Sequence, residues 1–182
     1  MKILFALPGL HRFDRGAEVV FESVAQTIAA TGKHQVILVG SGEHRADRAY
    51  DFICLPARSR DHFERWPRFP FFRHHFMYED FTFALGLLNL PAVAEADVTL
   101  TCSYPYTNWA LRRPRFGKAR PPHVFVTQNG DWPAQKQGIE PSLFSCEGLI
   151  CTNPIYYERN RERWNCALKR FGSAPFISTW TT

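Results

Sequence analysis

Two arginines and a glycine follow the first apolar segment of the chain, in the stretch GLHRFDRGAE at residues 9–18. Arg12 and Arg15 each offer a planar fork of N–H donors, which suits a phosphate or carboxylate group. Gly16 carries no side chain, so a ligand could approach the backbone closely where a helix begins. The stretch therefore predicts an anion-binding turn, although solvated arginines around an ordinary helix start would have the same composition.

The signatures of several enzyme classes are absent from the sequence. No G-x-G-x-x-G follows the first apolar segment and no G-x-x-x-x-G-K-[ST] occurs, which argues against dehydrogenases and P-loop NTPases. G-x-S-x-G and H-E-x-x-H are missing too, and the adjacent His74 and His75 cannot share one helix face. The five cysteines contain no C-x-x-C pair, so we interpret them as buried reduced thiols. We therefore predict neither a metal site nor a disulfide framework.

Six short apolar segments, rich in β-branched residues, have the character of strands buried on both faces of a parallel sheet. They lie at 2–7, 35–39, 52–55, 98–102, 124–127 and 149–152. Helices are predicted at 17–30, at 106–113 and from Asn153 to about 164, and Glu79 with Asp80 is expected to start another. Strands that alternate with helices predict right-handed βαβ units. The fold class is therefore α/β, a Rossmann-like parallel sheet with helices on both faces.

The helix at 17–30 carries signals at both ends and along its length. Asp14 is a candidate N-cap, and Gly32 suits the left-handed position just past the C-terminus. The apolar side predicted for this helix carries Val20, Val24, Thr27 and Ile28.

Ligands of open parallel sheets bind beyond the carboxyl ends of the strands, because loops and helix N-termini converge there. This rule selects residues 9–16, Ser103 with Tyr104, residues 128–132 and Asn153. We expect a functional site to draw on these loops.

The composition limits the partners without naming one. The 182 residues include 22 Lys and Arg against 17 Asp and Glu, a net charge of +5 that suits phosphate-bearing ligands, anionic lipid surfaces or nucleic acid. The longest uncharged stretch, 81–94, is interrupted by Pro91 and is shorter than the roughly 18–20 residues of a membrane-spanning helix. No signal-peptide cleavage site follows the amino terminus. We therefore predict a cytoplasmic protein, either free or peripheral at the inner face of the membrane.

The turn RGAE at residues 15–18, the helix after it and the segment TGKHQVILVG at 31–40 resemble the opening of the family 4 retaining glycosyltransferases of the GT-B fold. Members of that family commonly have a Gly-Gly-Ala-Glu turn and a Gly-His-x-Val start to the next strand. Here Arg15 replaces the first glycine, and Lys33 separates Gly32 from His34. Segments 117–134 and 148–164 resemble the family's acceptor-side strand and loop and its last strand and helix before the second domain. The resemblance covers about residues 1–166.

The resemblance implies half of a two-domain enzyme that moves a sugar from a nucleotide-sugar to an acceptor hydroxyl. The N-terminal domain of the family binds a sugar or lipid-linked acceptor, its C-terminal domain binds the donor, and no cofactor is implied. Residues 1–166 correspond to the first domain and 167–182 to an irregular tail. We therefore expect a truncated or frameshifted member, or a half that needs a partner chain, so whether this chain alone is active stays open.

The resemblance also suggests roles for single residues, although it assigns no catalytic residue. Gly16 matches the glycine turn that approaches the donor phosphate, and Arg12 and Arg15 would face phosphate or acceptor. Asn129 and Asp131 are expected to bind acceptor hydroxyl groups, for which amide and carboxylate side chains are suited. The same two residues would also fit a plain Asn-Gly turn. Many members have a histidine after the strand that precedes these residues, whereas this sequence has Gln128 and Asn129.

Aromatic and basic residues are interleaved between residues 58 and 76, and Pro67 and Pro70 argue against a regular element there. Three explanations are open: a membrane-surface patch, an acceptor-binding lid, or a loop whose aromatic side chains pack on the domain. We favour packing together with an acceptor-side lid.

A second basic cluster lies between residues 112 and 120. It consists of Arg112, Arg113, Arg115, Lys118 and Arg120. We predict a solvated loop rather than a nucleic-acid-binding patch, because stacking aromatics are scarce there. Two alternatives to the glycosyltransferase hypothesis stay open: a self-contained Rossmann-like nucleotide-binding protein, and a non-catalytic basic module that binds nucleic acid or membrane.

Overall fold

A computed structural model describes residues 1–113, 119–127 and 143–151 of the chain. The strands are β1 (Lys2–Ala6), β2 (Gln35–Gly40), β3 (Asp51–Cys54), β4 (Val98–Thr101), β5 (His123–Thr127) and β6 (Gly148–Cys151). The α-helices are α1 (Gly16–Ala30), α2 (His75–Leu88), α3 (Pro91–Glu95) and α4 (Tyr106–Arg112), and a 3-10 turn spans Arg60–Phe63. The six predicted strands are confirmed to within one residue at either end. The helix predicted from Asn153 lies outside the described residues.

All six strands are parallel and form one sheet in the order β3-β2-β1-β4-β5-β6. The chain proceeds outward from β1 to β3, then crosses back so that β4 pairs with β1, with Ile3 opposite both Val36 and Val98. The predicted α/β, Rossmann-like fold class is therefore confirmed. The reversal between β1 and β4 matters for function, because loops that follow neighbouring strands diverge at such a point.

Two apolar cores cover the two faces of the sheet. On one face, Leu4 and Ile37 belong to a cluster with residues of α2, α3 and α4. On the other, Phe5 and Leu38 belong to a cluster with residues of α1. Successive residues of a strand point to opposite faces, so a strand buried on both sides has the unbroken apolar sequence from which β1 and β2 were predicted.

The buried side of α1 differs from the prediction at Val20, Val24 and Thr27, whereas Ile28 packs against the core as predicted. Val20 is 47% and Val24 36% exposed, whereas Phe21, Ala25 and Ala29 face the sheet. Phe21 packs edge-to-face on Phe5 with ring centroids 5.7 Å apart. The small alanines let the helix axis approach the strands, so the alanine stripe decides which side is buried, although valine is the more hydrophobic residue.

The prediction for the C-terminal end of α1 is confirmed, and the prediction for its N-terminal end is wrong. Gly32 has φ +66°, so the left-handed position after the helix is confirmed. Asp14 does not cap the start: the N-cap is Arg15, without a side-chain cap bond, and Asp14 instead pairs with Arg45 at 3.0 Å. Asp14 thus forms an ion pair with Arg45, on the loop after β2, in place of capping the helix.

Glu79 and Asp80 do not start α2, which begins at His75. Both acids are buried one turn further along, and each is held by partners from other segments. The prediction of buried cysteines holds for Cys146 but is wrong for Cys54, which is exposed on the edge strand β3, while Cys102 and Cys151 are half-buried. Within the described ranges, no helix combines the length and apolar character needed to cross a bilayer.

Candidate functional site

A crevice is expected where the loops after β1 and β4 diverge at the carboxyl edge of the sheet. The first loop leads to α1 on one face, and the second leads to α4 on the other, because the two helices belong to different cores. Residues 7–15 follow β1 and residues 102–105 follow β4, and these two loops would form the two walls of such a crevice.

The wall after β1 is a compact turn. The backbone N–H groups of Arg12 and Phe13 both donate to the Gly9 carbonyl at 3.0 Å, and His11 adopts a left-handed φ of 62°. Gly42, on the loop after β2, lies directly against the His11 backbone, where any side chain at 42 would collide. The second glycine of the GSG stretch at 40–42 therefore holds this wall in place.

The two predicted arginines have different surroundings. Arg12 donates to Ser41 Oγ at 3.2 Å and to the Ala57 carbonyl at 2.9 Å, so it ties together the loops after β1, β2 and β3. Arg15 lies over the Phe13 ring, 4.0 Å from its centroid, and its Nε atom is 4.0 Å from Glu18 Oε1. Arg12 is thus partly committed to the fold, while Arg15 stays near the surface of the turn.

Gly16 is exposed at the first position of α1, and among the described residues outside the helix's own backbone and the two chain neighbours no atom lies within 4 Å of a Cβ placed on it. The space above this backbone is open. An open, side-chain-free position at a helix N-terminus fits the predicted close approach of an anionic group.

Glu18 is the buried acid of the site, and the sequence reasoning did not single it out. The residue is only 5% exposed, and its carboxylate lies across the Gly9 backbone, in the space that a side chain at position 9 would need. It lies in the first turn of α1. In the sequence, the feature that could have identified Glu18 is its position two residues after Gly16, at the start of the predicted helix.

The wall after β4 is held by Asp80, which reaches across from α2. One carboxylate oxygen accepts from Ser103 Oγ at 2.6 Å, and the other accepts from the backbone N–H groups of Tyr106 at 2.6 Å and Thr107 at 3.1 Å. Asp80 therefore supplies from another helix the capping acceptor that α4 lacks in its own sequence. Burial raises the pKa of Asp80, although these hydrogen bonds oppose the shift. An acid pair in an apolar helical stretch was the sequence signal for this role.

Cys102 follows directly after the end of β4, at the start of the second wall. Burial, together with the negative charges of Glu18 and Asp80, raises the pKa of the Cys102 thiol. The thiol therefore stays protonated at neutral pH and is a poor nucleophile. Tyr104, which the strand-end rule also selected, is buried edge-on against Phe144 and belongs to the packing of this wall.

A polar network of His11, Tyr50 and Glu22 connects the first wall to α1 and to the segment before β3. His11 Nε2 lies 2.8 Å from Tyr50 Oη, and Tyr50 Oη donates to Glu22 Oε1 at 3.1 Å. Burial raises the pKa of Tyr50 to about 12 and lowers that of His11, whose ring stacks on Phe52 at 3.9 Å. Burial alone would raise the pKa of Glu22, but its bonds and charge contacts with Tyr50 and two arginines lower it. Those arginines are Arg45 and Arg48.

Arg112 lies away from the crevice and is not solvated, so the prediction for the basic cluster is wrong at this position. It is 7% exposed, pairs with Glu147 and donates from Nε to Ser145 Oγ at 2.9 Å. Beside it, His123 is fully buried at the amino end of β5, where burial and the charge of Arg112 lower its pKa to about 3. Arg112 therefore joins α4 to the segment before β6. Arg115 and Lys118 lie outside the described residues.

Of the predicted site residues, Arg12 and Arg15 lie in the first wall, and Gly16 follows directly at the start of α1. Asn129 and Asp131 lie outside the described residues. In the part of the chain that the structure describes, no three His, Cys, Asp or Glu side chains are grouped so that they could hold a metal ion. Together the two loops and the start of α1 offer the buried carboxylates of Glu18 and Asp80, an exposed backbone glycine and the guanidinium of Arg15. Such a set is suited to binding hydroxyl-rich or anionic molecules.

No protein-family model matches the sequence, and no curated protein matches it.

Proposed function

We propose that this chain is the acceptor-binding domain of a retaining glycosyltransferase of the GT-B fold. In such an enzyme a sugar moves from a nucleotide-sugar donor to an acceptor hydroxyl in a cleft between two Rossmann-like domains. The RGAE turn and the segment at 31–40 support the family, and the crevice between β1 and β4 supplies a place for the acceptor. The donor-binding half is a second domain of the same general kind.

The observation that carries the proposal is the Glu18 carboxylate. Within the described residues Glu18 accepts no hydrogen bond, and the cation nearest to it is Arg15, at 4.0 Å. A largely buried carboxylate with free acceptor capacity can accept hydrogen bonds from a ligand that supplies the donors. Sugar hydroxyl groups are such donors. Glu18 is therefore our candidate for holding an acceptor hydroxyl in the crevice.

Gly16 is our candidate for the donor side. Its exposed backbone faces open space at the positive end of α1, so the diphosphate of a donor held by the other domain can come close. Arg15 lies one residue away and can add a forked donor. Closure of the two domains would then exclude water and align donor and acceptor, which is the main contribution that positioning makes to a transfer reaction.

Amide NMR with two panels of ligands tests this function. The first panel contains monosaccharides, sugar phosphates and lipid-linked sugars, and the second contains nucleotide-sugars and free nucleotides. We expect shifts at residues 9–18 and 102–104 with a member of the first panel. Glu18→Gln should weaken that binding by about tenfold, as expected for loss of a charge-assisted hydrogen bond, whereas Glu43→Gln, at an exposed glutamate, should not.

Three results would contradict the proposal. Shifts with nucleotides alone would favour a self-contained nucleotide-binding protein. Binding to arbitrary DNA with a steep salt dependence would favour a basic nucleic-acid module. Acceptor binding that Glu18→Gln leaves unchanged would remove the residue on which the proposal rests.

A further inference from the structure

The aromatic and basic segment between residues 58 and 76 is firmly anchored on one side. Phe69 and Phe72 exchange backbone hydrogen bonds of 3.2 and 2.9 Å, which closes a short hairpin. Tyr78 Oη donates to the Pro67 carbonyl at 2.5 Å, and Tyr106 Oη donates to the Phe71 carbonyl. Two tyrosines on different helices therefore fix the backbone of the hairpin.

Two aromatic rings of the segment, Phe63 and Phe72, also pack on the helices. Phe63 is 3% exposed and stacks on Tyr78 with centroids 5.1 Å apart, and Phe72 stacks on the same ring at 4.3 Å. Phe72 also meets Phe81 edge-on at 5.3 Å. The packing part of the prediction for this segment is thus confirmed for these rings.

Three other rings are about half exposed, although one edge of Trp66 also packs on Phe63 and Tyr78. Trp66 is 48%, Phe69 51% and Phe71 53% exposed, all within six residues of a braced hairpin. Isolated exposed apolar residues are ordinary, but three large aromatic side chains on one tight turn form a patch that marks an interaction surface. We call Arg65, Trp66, Arg68, Phe69 and Phe71 the aromatic–arginine surface.

The charges of this surface indicate its partner. Arg65 and Arg68 are exposed between the aromatic residues, Arg73 follows, and no acid occurs from 65 to 73. Tryptophan and phenylalanine favour the boundary between headgroups and acyl chains, while arginine stems extend along apolar surface and place the guanidinium at phosphate level. Aromatic residues alternating with arginines therefore match an anionic bilayer in both hydrophobicity and charge.

We propose that the aromatic–arginine surface docks the protein onto anionic lipid membranes. Tyr106 links this surface to the crevice, because its hydroxyl holds the hairpin at Phe71 while its backbone N–H is held by Asp80 in the second wall. Docking would therefore bring the carboxyl edge of the sheet, with the crevice, next to the lipid headgroups. The inference goes beyond the proposed function and does not depend on it.

Co-sedimentation with lipid vesicles tests the docking. We expect the full chain to bind vesicles of phosphatidylcholine mixed with phosphatidylglycerol, and to bind pure phosphatidylcholine much more weakly. Replacing Trp66, Phe69 and Phe71 together by serine should reduce binding by roughly tenfold or more. Arg65→Gln with Arg68→Gln should reduce it by a similar factor and flatten its salt dependence.

A matched control is available on the opposite face of the sheet. Val19, Val20 and Val24 on α1 are 46%, 47% and 36% exposed, and their joint replacement by serine should leave vesicle binding unchanged. Circular dichroism and the thermal unfolding midpoint will show that each variant is folded. Glu18→Gln should bind vesicles like the unaltered protein, so failure of the acceptor proposal and failure of the docking proposal are distinguishable.

The docking proposal is overturned if the unaltered protein does not bind anionic vesicles at near-physiological salt. It is also overturned if both surface variants bind these vesicles as strongly as the unaltered protein. It is also overturned if the protein forms a dimer that the serine variant dissociates, since the surface would then pair two copies of this chain.

Discussion

The carboxylate of Glu18 lies across the backbone of Gly9, in the space that a side chain at position 9 would occupy. The contact joins the first turn of α1 to the loop after β1, and both residues are buried. Gly9 does not have a left-handed φ, so the glycine is needed there for space and not for backbone conformation. The first wall therefore depends on the absence of a side chain at Gly9 and on the buried carboxylate of Glu18.

Gly9→Ala should therefore destabilise the protein by displacing Glu18, with a free energy of unfolding lower by about 1–2 kcal/mol. The loss should be modest because the displaced group is the flexible end of a side chain. In the double variant with Glu18→Ala, urea unfolding should recover most of the loss, since residues in direct contact are energetically coupled. Simple additivity of the two changes would contradict the contact.

Gly16→Ala should have the opposite effect on stability. Gly16 lies in the first turn of α1, and a methyl group there would meet no atom of another described segment within 4 Å. Alanine should therefore raise the free energy of unfolding by about 0.4–1 kcal/mol. If the open backbone receives an anionic ligand, the same variant should weaken that binding in the NMR titrations. A loss of stability in urea would mean that the turn itself requires glycine.

Much of the fold could be predicted because β1, β2 and the strands beside them are buried on both faces. Such strands are unbroken apolar runs, and the helices between them force a parallel sheet. The prediction of the buried side of α1 was wrong because helical periodicity places two partly apolar sides on this helix, and only the sheet selects the one with Phe21 and Ala25. Periodicity gives the existence of a helix more reliably than its orientation.

The crevice could be predicted only in part. The strand-end rule selected the loop with Arg12 and Gly16, because topology alone brings such loops together. It could not identify Asp80, which reaches the site from the middle of α2 by capping α4, a contact between segments far apart in sequence. Charged residues in apolar helical stretches are the sequence feature that would have drawn attention to it.

His11→Asn should remove a pH-dependent part of the stability. Asparagine tolerates the left-handed φ of 62°, but it loses the contact with Tyr50 and the stack on Phe52, so the variant should be about 1–2 kcal/mol less stable near neutral pH.

Because burial lowers the pKa of His11 below its usual 6.5, the unfolded chain binds the proton more readily than the folded protein. The stabilisation is therefore complete at pH values above 6.5 and is lost as the pH falls through the folded-state pKa. Urea unfolding between about pH 7.5 and pH 5 should show the difference between the unaltered protein and the variant narrowing on acidification. His123, present in both proteins, cancels in this comparison. A constant difference would contradict a buried neutral His11.

Arg112 and Arg113 are neighbours in the basic cluster, yet the structure predicts opposite consequences for replacing them by alanine. Arg112→Ala leaves Glu147, whose side chain is 19% exposed, without this ion pair and removes the bond to Ser145. Because Arg112 is buried, the free energy of unfolding should fall by about 3 kcal/mol, the lower end of the range for broken buried pairs. Arg113 is exposed and contributes only its guanidinium over the Trp109 ring at 4.8 Å, so Arg113→Ala should cost about 0.5–1 kcal/mol. Arg113→Ala is the matched control in urea or thermal unfolding. Similar small losses of stability for both variants would mean that Arg112 is solvated, as the composition predicted.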